Sequence, residues 1–444
     1  MYDVLVAGGG LAGVASAVSA ARAGVSVVLI EQLSYLGGLS TAGLVNPFMS
    51  WYTFVRKTQL VGGLFQEILN RLSRKNGILN NCFDPEAMKQ ILLDMCREEG
   101  VDIKFQTFII EACCNEHNDF RVKTVSKDGE IVCLARRVID CTGDGDLAVS
   151  LGADYEIGDK NGNCQAVTLM FDVAGVDVEK ALQRALDYPS EMSIQVGSKD
   201  DKASEIAKRV FSPAGYFDLV AKAKKEKGYD FPGDMLFFIS RPEKGIVTFN
   251  QTHTVVKNPT SAEDVKIAKL ECIRQMQEII SLCKEYIPGF ENAYILRSAD
   301  LLGVRESRRI LGEYVFSSND VKFCTKHNDA ICRLAYPVDI HDTDGQGYTV
   351  ESTKKMITKP ADGDWYEIPF RCLKISGVKN ALVAGRCLSA THEGQGAMRI
   401  MPACVATGEA AGAGAAISIK NSKDISDIDT NDLLMLLRKR GALL

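Results

Sequence analysis

An α/β fold built on a parallel sheet, with an α+β unit inserted into it, is what this sequence predicts. Three observations predict it. Residues 2–31 read strand, glycine turn, helix, strand; short apolar strands return at 138–143 and 381–384; and the stretch from about 157 to 370 alternates strands and polar helices in a different manner.

The first passage, YDVLVAGGGLAGVASAVSAARAGVSVVLIE, sets the frame. The apolar strand Val4–Ala7 runs into Gly8-Gly9-Gly10-Leu11-Ala12-Gly13, an Ala-rich helix follows until Gly24, and a second strand, Val27–Ile30, ends on Glu31. This is a GxGxxG fingerprint in a full βαβ unit. Gly8 allows the tight turn, Gly10 lets backbone approach a pyrophosphate, and Gly13 with Ala17 lets the helix sit close to the sheet. The helix N-terminus offers unpaired N–H groups and a positive dipole end to phosphates. Glu31, eighteen residues past Gly13, suits ribose hydroxyls and repels a 2′-phosphate. The passage therefore predicts a Rossmann-type dinucleotide site.

Next, Asp84 is a cap and Pro85 a first helical residue, so the pattern predicts a helix over 86–99, stopped by Gly100. A strand at 101–105 precedes β runs at 108–112, 120–125 and 131–138, with Asp128-Gly129 as a hairpin turn. The expected result is one main-sheet strand, then a β-meander returning to the nucleotide domain at Val138–Gly143. The insertion holds expected strands at 166–173, 235–239 and 245–250 and helices at 178–186, 216–227 and 262–285. Residues 342–364 are polar and rich in Gly, Asp and Lys, a surface loop or hairpin or an active-site lid. Strand 381–384, a small-residue helix from Pro402 to Ile417 and a terminal helix over 431–440 close the chain. The expected domains are 1–156 (nucleotide-binding, first part), 157–370 (inserted substrate or cap domain) and 371–444 (nucleotide-binding, return).

Bulk properties narrow the function class. The chain has 444 residues, net charge −5, 46% hydrophobic and 25% charged residues. An acidic chain without a basic stripe argues against nucleic acid. The first strand starts at residue 2 and no apolar run reaches membrane-spanning length, so a cytoplasmic protein without a membrane partner is expected. The 14 cysteines contain no CxxC and no ferredoxin-type run, so free structural thiols are expected and no metal site. Cys113-Cys114 and Cys387 stand apart as the thiols to follow.

Five further segments strengthen the reading: DCTGDGDLA at 140–148, GVRESRRILGEY at 303–314, YEIPFRCL at 366–373, VAGRCLSATHE at 383–393 and RIMPACVATGEAAG at 399–412. Together with the fingerprint and Gly37-Gly38-Leu39-Ser40-Thr41, they make the chain resemble the FAD-dependent oxidoreductase family. That family also contains the flavoprotein core of heterodisulfide reductase, and it resembles fumarate reductase and succinate dehydrogenase flavoproteins more distantly. The resemblance implies an FAD site at Gly8, Gly10, Leu11, Ala12 and Gly13; at Glu31, Gln32 and Gly37 through Thr41; and at Thr142, Gly143 and Asp144. It extends to Gly385, Arg386, Ala397, Met401, Pro402 and Ala403. Arg386 stands where many related flavoproteins have a ribityl-binding acid, so its role is pyrophosphate contact, flavin contact or structural. The helix begun at Pro402 is implied to face the flavin N1–C2=O edge, where its dipole stabilises negative charge on reduced flavin. No His lies between Glu31 and Asn46, so non-covalent FAD is expected.

Catalytic candidates follow from position. Of five histidines, His117, His327 and His341 have weak contexts, while His253 follows a strand in NQTHT. His392, placed beside the flavin by the resemblance and just ahead of Arg399, is the candidate proton-transfer group. Arg305, Arg308 and Arg309 crowd five residues around Glu306. Arginine grips carboxylates bidentately, so Arg305, expected to be exposed, is the candidate anion-binding residue, with Arg308 structural; the competing reading is an internal network to Glu306 and Glu313. The expected activity is hydride transfer at flavin N5 with a small polar or anionic organic substrate. Two alternatives stand beside it: an electron-transfer flavoprotein subunit with an iron–sulfur partner, and a tRNA-modifying or non-redox FAD-binding protein. With no second GxGxxG, electrons are expected from substrate, a diffusing carrier or a donor or acceptor protein, with the chain a monomer or homo-oligomer.

Overall fold

In the computed structural model, residues 1–116, 119–198, 200–209, 211–341, 343–347, 349 and 357–444 are described. His117, Asp342, Tyr348 and residues 350–356 of the expected loop lie outside them. The chain enters through β1 (Tyr2–Ala7), α1 (Leu11–Arg22) and β2 (Val27–Ile30). Then come β3 (Asp102–Lys104), β4 (Phe108–Cys114), β5 (Phe120–Ser126) and β6 (Gly129–Asp140). These six form one sheet in the order β3-β2-β1-β6-β5-β4, joined by β7 (Ala381–Val383) on β6. β3, β2, β1, β6 and β7 pair in parallel, whereas β4, β5 and the first half of β6 pair antiparallel.

β6 joins the two halves. Its residues 129–135 close the meander on β5, and its residues 135–140 insert between β1 and β7. Val4 through Ala7 are buried on both faces, as a strand covered by helices on each side requires. The hairpin loop is Lys127-Asp128, with Ser126 paired to Gly129, one residue earlier than the Asp-Gly signal suggests.

α1 packs along the sheet against α3 (Met401–Lys420), which follows the short α2 (His392–Met398). A Cβ on Gly408 would lie 2.1 Å from the Ala12 carbonyl oxygen, so only glycine permits this approach. Ser16 Oγ then donates to Gly408 O at 3.0 Å and Ser19 Oγ to Glu409 O at 2.7 Å. The small-residue helix is thus core. No single helix among the described residues is long and apolar enough to cross a membrane; α2 and α3 together pass on length and composition but bend by 92°.

The insertion builds its own six-stranded antiparallel sheet, with Tyr294–Ser298 and Met192–Ile194 at its edges. Its helices, Val178–Asp187, Phe217–Lys227 and Ala262–Tyr286, match the expected ones within two residues. The separate core is built on Phe171, Phe238, Phe249 and Phe290 and spans residues 171–293. Residues from Ile310 to Ile375 join the first core instead, so the inserted core ends well before the expected boundary at 370. The hairpin Ala330–Leu334 with Tyr366–Pro369 explains this: the single Tyr366 hydroxyl proton lies between Tyr336 O, 2.9 Å away, and Ala397 O, 3.0 Å away, tying the hairpin beneath α2.

Candidate active site

The site begins at the C-terminal ends of β1, β2, β6 and β7, the edge where an open parallel sheet binds ligands. Gly8 turns with φ +88°, and a Cβ there would meet Cys141 O at 2.6 Å; a Cβ on Gly13 would meet Gly8 O at 1.8 Å. Gly10 differs, because a Cβ there meets no protein atom within 4 Å. The first two glycines serve the fold, and the third keeps a volume outside the protein clear. Gly10 also starts α1 with no side-chain cap. Its carbonyl takes the first ladder bond, from Val14 N at 2.9 Å, so the amides of Leu11, Ala12 and Gly13 precede the ladder and face outward.

Glu31 lies beside this turn, buried, with its carboxylate accepting from Gly9 N at 2.6 Å and Leu33 N at 2.7 Å. Burial pushes its carboxyl above the usual range against these bonds. Gln32 is exposed next to it. The loop from Gly37 folds over the same turn: Gly37 N donates to Gly9 O at 2.8 Å, and Gly38–Ser40 form a helical turn. Ser40 and Thr41 hydroxyls point back to Gly37 O and Leu36 O, both at 2.8 Å, while Leu39 O accepts from Val45 N. The inserted domain reaches this loop, Asp300 N donating to Ala42 O at 2.8 Å.

Across the sheet edge, Asp140 is sealed in the core, its carboxyl raised to about 6 by burial. It accepts from Thr142 N and Oγ1 and from Ala148 N, which fixes the 140–148 turn. Asp144 accepts from Arg386 Nη2 at 2.9 Å and from Ser307 Oγ at 2.6 Å, and the Arg386 guanidinium covers Gly143. Arg386 is thus held by an acid on the facing loop, which fixes a structural role whatever else it contacts. Gly385 lies against Ala12. α3 also starts without a side-chain cap, at Ile400, with Pro402 in its first turn, Ala403 buried and Met401 half-buried; Ala397 lies buried one turn before. Two uncapped helix N-termini, a clear volume at Gly10 and an acid at the end of β2 fit a dinucleotide of the FAD kind.

The three arginines of 305–309 separate by partner. Arg309 is buried and pairs with Glu306 and Glu156 while donating to Ala390 O and Gly158 O. Arg308 pairs with Asp146 and donates to Asp144 O at 2.7 Å. Arg305, expected to be exposed, is only 7% exposed. It donates to two neutral acceptors, Ala166 O at 2.6 Å and Asn250 Oδ1 at 3.3 Å. Among the described residues no carboxylate lies within 4.0 Å of its guanidinium. Arg305 is held between the segment at Ala166 and Asn250, just past the inserted strand Val247–Phe249. The internal network forms only in part, since among the described residues Glu313 pairs with Lys374 and not with an arginine.

His392 stands at the start of α2 with Nδ1 2.8 Å from Glu306 Oε1. Glu306 is sealed from solvent and also accepts from Gln165 N at 3.2 Å. A chain of amides joins these groups. Gln395 Nε2 donates to Arg305 O at 2.9 Å, Gln165 Nε2 reaches Gln395 Oε1 at 3.5 Å, and Gln165 Oε1 accepts from Arg399 Nη2 at 3.5 Å and His341 N at 3.1 Å. Arg399 also donates to Asp339 O at 3.0 Å. His253, buried, has its backbone held by Gln275 on the long inserted helix. The structure therefore brings Arg305, His392 and Arg399 into one cluster that touches the dinucleotide cradle through Arg386 O.

Sequence reasoning passed over three members: Glu306, Gln165 and His341. Glu306 was visible only as a partner for the arginines; Gln165 carries no spacing signal; and His341 sits in a polar segment whose burial depends on the fold. Cys387 is buried, its thiol pushed well above the ordinary value by burial, while Cys113 and Cys114 are exposed on the edge strand β4; all 14 cysteines are free.

A family model described as FAD dependent oxidoreductase matches residues 3–437. No curated protein sequence matches the chain. Among solved structures, a geranylgeranyl bacteriochlorophyll reductase-like protein from Thermoplasma acidophilum is similar in fold. It has a TM-score of 0.50 and 11% identity, over 99% of this chain and 83% of that one. A p-nitrophenol 4-monooxygenase from Pseudomonas putida DLL-E4 aligns with a TM-score of 0.45 and 12% identity, over 98% and 82%.

Proposed function

The chain belongs to the FAD-dependent oxidoreductase family, and from that premise we propose that it oxidises or reduces a small organic anion bound at Arg305. Gly8, Gly10, Gly13, Glu31 and the first turns of α1 and α3 would hold FAD, without a covalent link. When bound, FAD supplies two-electron hydride exchange at its N5 position.

One observation carries the substrate reading: Arg305 is a buried cation whose partners among the described residues are neutral. An uncompensated charge in a protein interior costs several kcal/mol. A substrate carboxylate would offset that cost and meet a planar fork that grips it bidentately. The paired charges of Arg308 and Arg309 leave them scaffold.

His392 would hold or release the proton that accompanies the hydride. With Nδ1–H donated to the Glu306 carboxylate, Nε2 is left as the working atom, and the Glu306 charge is itself balanced by Arg309. Glu306 acts as a positioning residue, fixing tautomer and ring orientation.

The test is a screen of anaerobically photoreduced holoprotein against small carboxylic acids and their amides. Re-oxidation of the flavin by an acid and not by its amide supports the reading, as does bleaching of the oxidised flavin by an acid in the reverse sense. A reaction with the neutral compounds alone would remove Arg305 as the substrate anchor.

A further inference from the structure

We propose that the cleft between the helix Gly63–Arg74 and the turn at Arg440-Gly441 is a second ligand site, and that it takes a phosphate monoester of sugar size. The inference does not depend on the substrate reading above.

The cleft holds about 330 Å³, the lower end of the range for small-molecule sites. Its floor is bare backbone: Gly63 N donates to Gly441 O at 2.9 Å, and a Cβ on Gly62 would run into that same oxygen. Gln66, Asn70 and Arg74 line it from the helix, four residues apart and so on one face. Arg440, which follows the terminal helix Thr430–Lys439, lines it from the other segment. Its Nη1 is anchored on α1 by Ser19 O and Ser19 Oγ, both at 3.0 Å. Ser19 stands about 9 Å along α1 from the cradle amides, at the helical rise per residue, so this anchor is separate from the dinucleotide cradle.

The balance of charge and donors selects the ligand. Glu67, the acid on the lining, pairs with both Arg22 and Arg71, and Arg71 pairs also with Glu98. Arg74 and Arg440 differ, since among the described residues no carboxylate lies within 4.0 Å of either guanidinium. Glu409, on the inner side of Arg440, is committed to Leu64 N. The amides add donors: Gln59 Nε2 donates to Gln66 Oε1 at 2.8 Å, and Gln66 Nε2 donates to Asn70 Oδ1 at 2.9 Å. Both of these acceptor oxygens are taken, and the chain ends on the Asn70 Nδ2 donors. Two cations without acids, beside amide donors, complement a phosphate, which guanidinium grips bidentately. The remaining lining is backbone and amide, with no aromatic side chain on which a base could stack. A sugar is therefore the better body than a nucleoside.

The experiment is calorimetric titration of FAD-loaded protein at pH 7, with the cradle occupied, using inorganic phosphate, ribose 5-phosphate, AMP and ribose. Ribose 5-phosphate should bind about tenfold tighter than inorganic phosphate, the scale of one further well-made hydrogen bond, and ribose should give no heat of binding. Arg74→Gln and Arg440→Gln should each weaken both phosphates by about tenfold or more. Lys75→Gln, one residue beyond Arg74 but outside the lining, should leave both unchanged. Arg74 is exposed, so its variant decides the matter even where Arg440→Gln disturbs the anchor on α1. Unchanged affinities in Arg74→Gln overturn the inference, as do an equal loss in Lys75→Gln and the absence of heat from every phosphate. Inorganic phosphate binding as tightly as ribose 5-phosphate, or AMP binding more tightly than it, overturns the assignment to a sugar phosphate.

Discussion

Glu306 Oε1 lies 2.8 Å from Nδ1 of His392, in a place where the carboxylate is fully sealed from solvent and the imidazole is not. The arrangement leaves one ring nitrogen buried against an acid and the other available to a bound molecule. On this account His392→Ala should lower turnover by roughly 10²–10⁴-fold, the range for losing a general acid or base. FAD content, read from the absorbance ratio of flavin to protein, should stay at the wild-type value. Near-normal turnover would make the pair structural.

The glycines of the cradle separate cofactor binding from folding. Gly10→Val should fold, because no protein atom lies within 4 Å of the added Cβ, but should purify colourless. Gly408→Val should fail to fold, because its side chain would enter the Ala12 backbone. Circular dichroism with flavin absorbance distinguishes the two, and a yellow Gly10→Val protein would misplace the pyrophosphate.

Much of this was legible in the residues. The βαβ unit, the meander and the inserted helices follow from periodicity and from Gly, Pro and Asp–Gly punctuation. α2 was not legible, since HEGQGAM has two glycines and no apolar stripe; tertiary contacts make it helical. The split among Arg305, Arg308 and Arg309 was equally hidden. Their spacing announces a charge cluster, but which one lacks an acid depends on Asp146 and Glu156, more than a hundred residues away.

Glu409 gives a prediction about pH and stability. It projects from α3 to the first turn of the helix Gly63–Arg74, accepting from Leu64 N at 2.9 Å, and burial raises its carboxyl to about 7. A raised acid binds its proton more tightly in the folded state, so the stability it contributes is full below about pH 4.5. That contribution is lost as pH climbs toward 7, on the order of 3 kcal/mol in all. Glu409→Gln should therefore match the wild type at pH 4.5 and exceed it at pH 8 in urea denaturation of the holoprotein. A variant less stable than the wild type at pH 8 would show that the ionised carboxylate stabilises the helix end by more than its burial costs.

The central claim is that a buried cation with neutral partners, Arg305, awaits an anionic substrate. It is tested most directly by kcat/KM for the best acid from the photoreduction screen, measured in Arg305→Ala and Arg305→Lys with FAD content held equal. The account predicts a loss of roughly 10²-fold or more in Arg305→Ala, equivalent to about 2.7 kcal/mol of binding to the transition state. Arg305→Lys should lose nearly as much, because an ammonium cannot supply the planar fork. Rates within a few fold of the wild type in both variants would contradict the account.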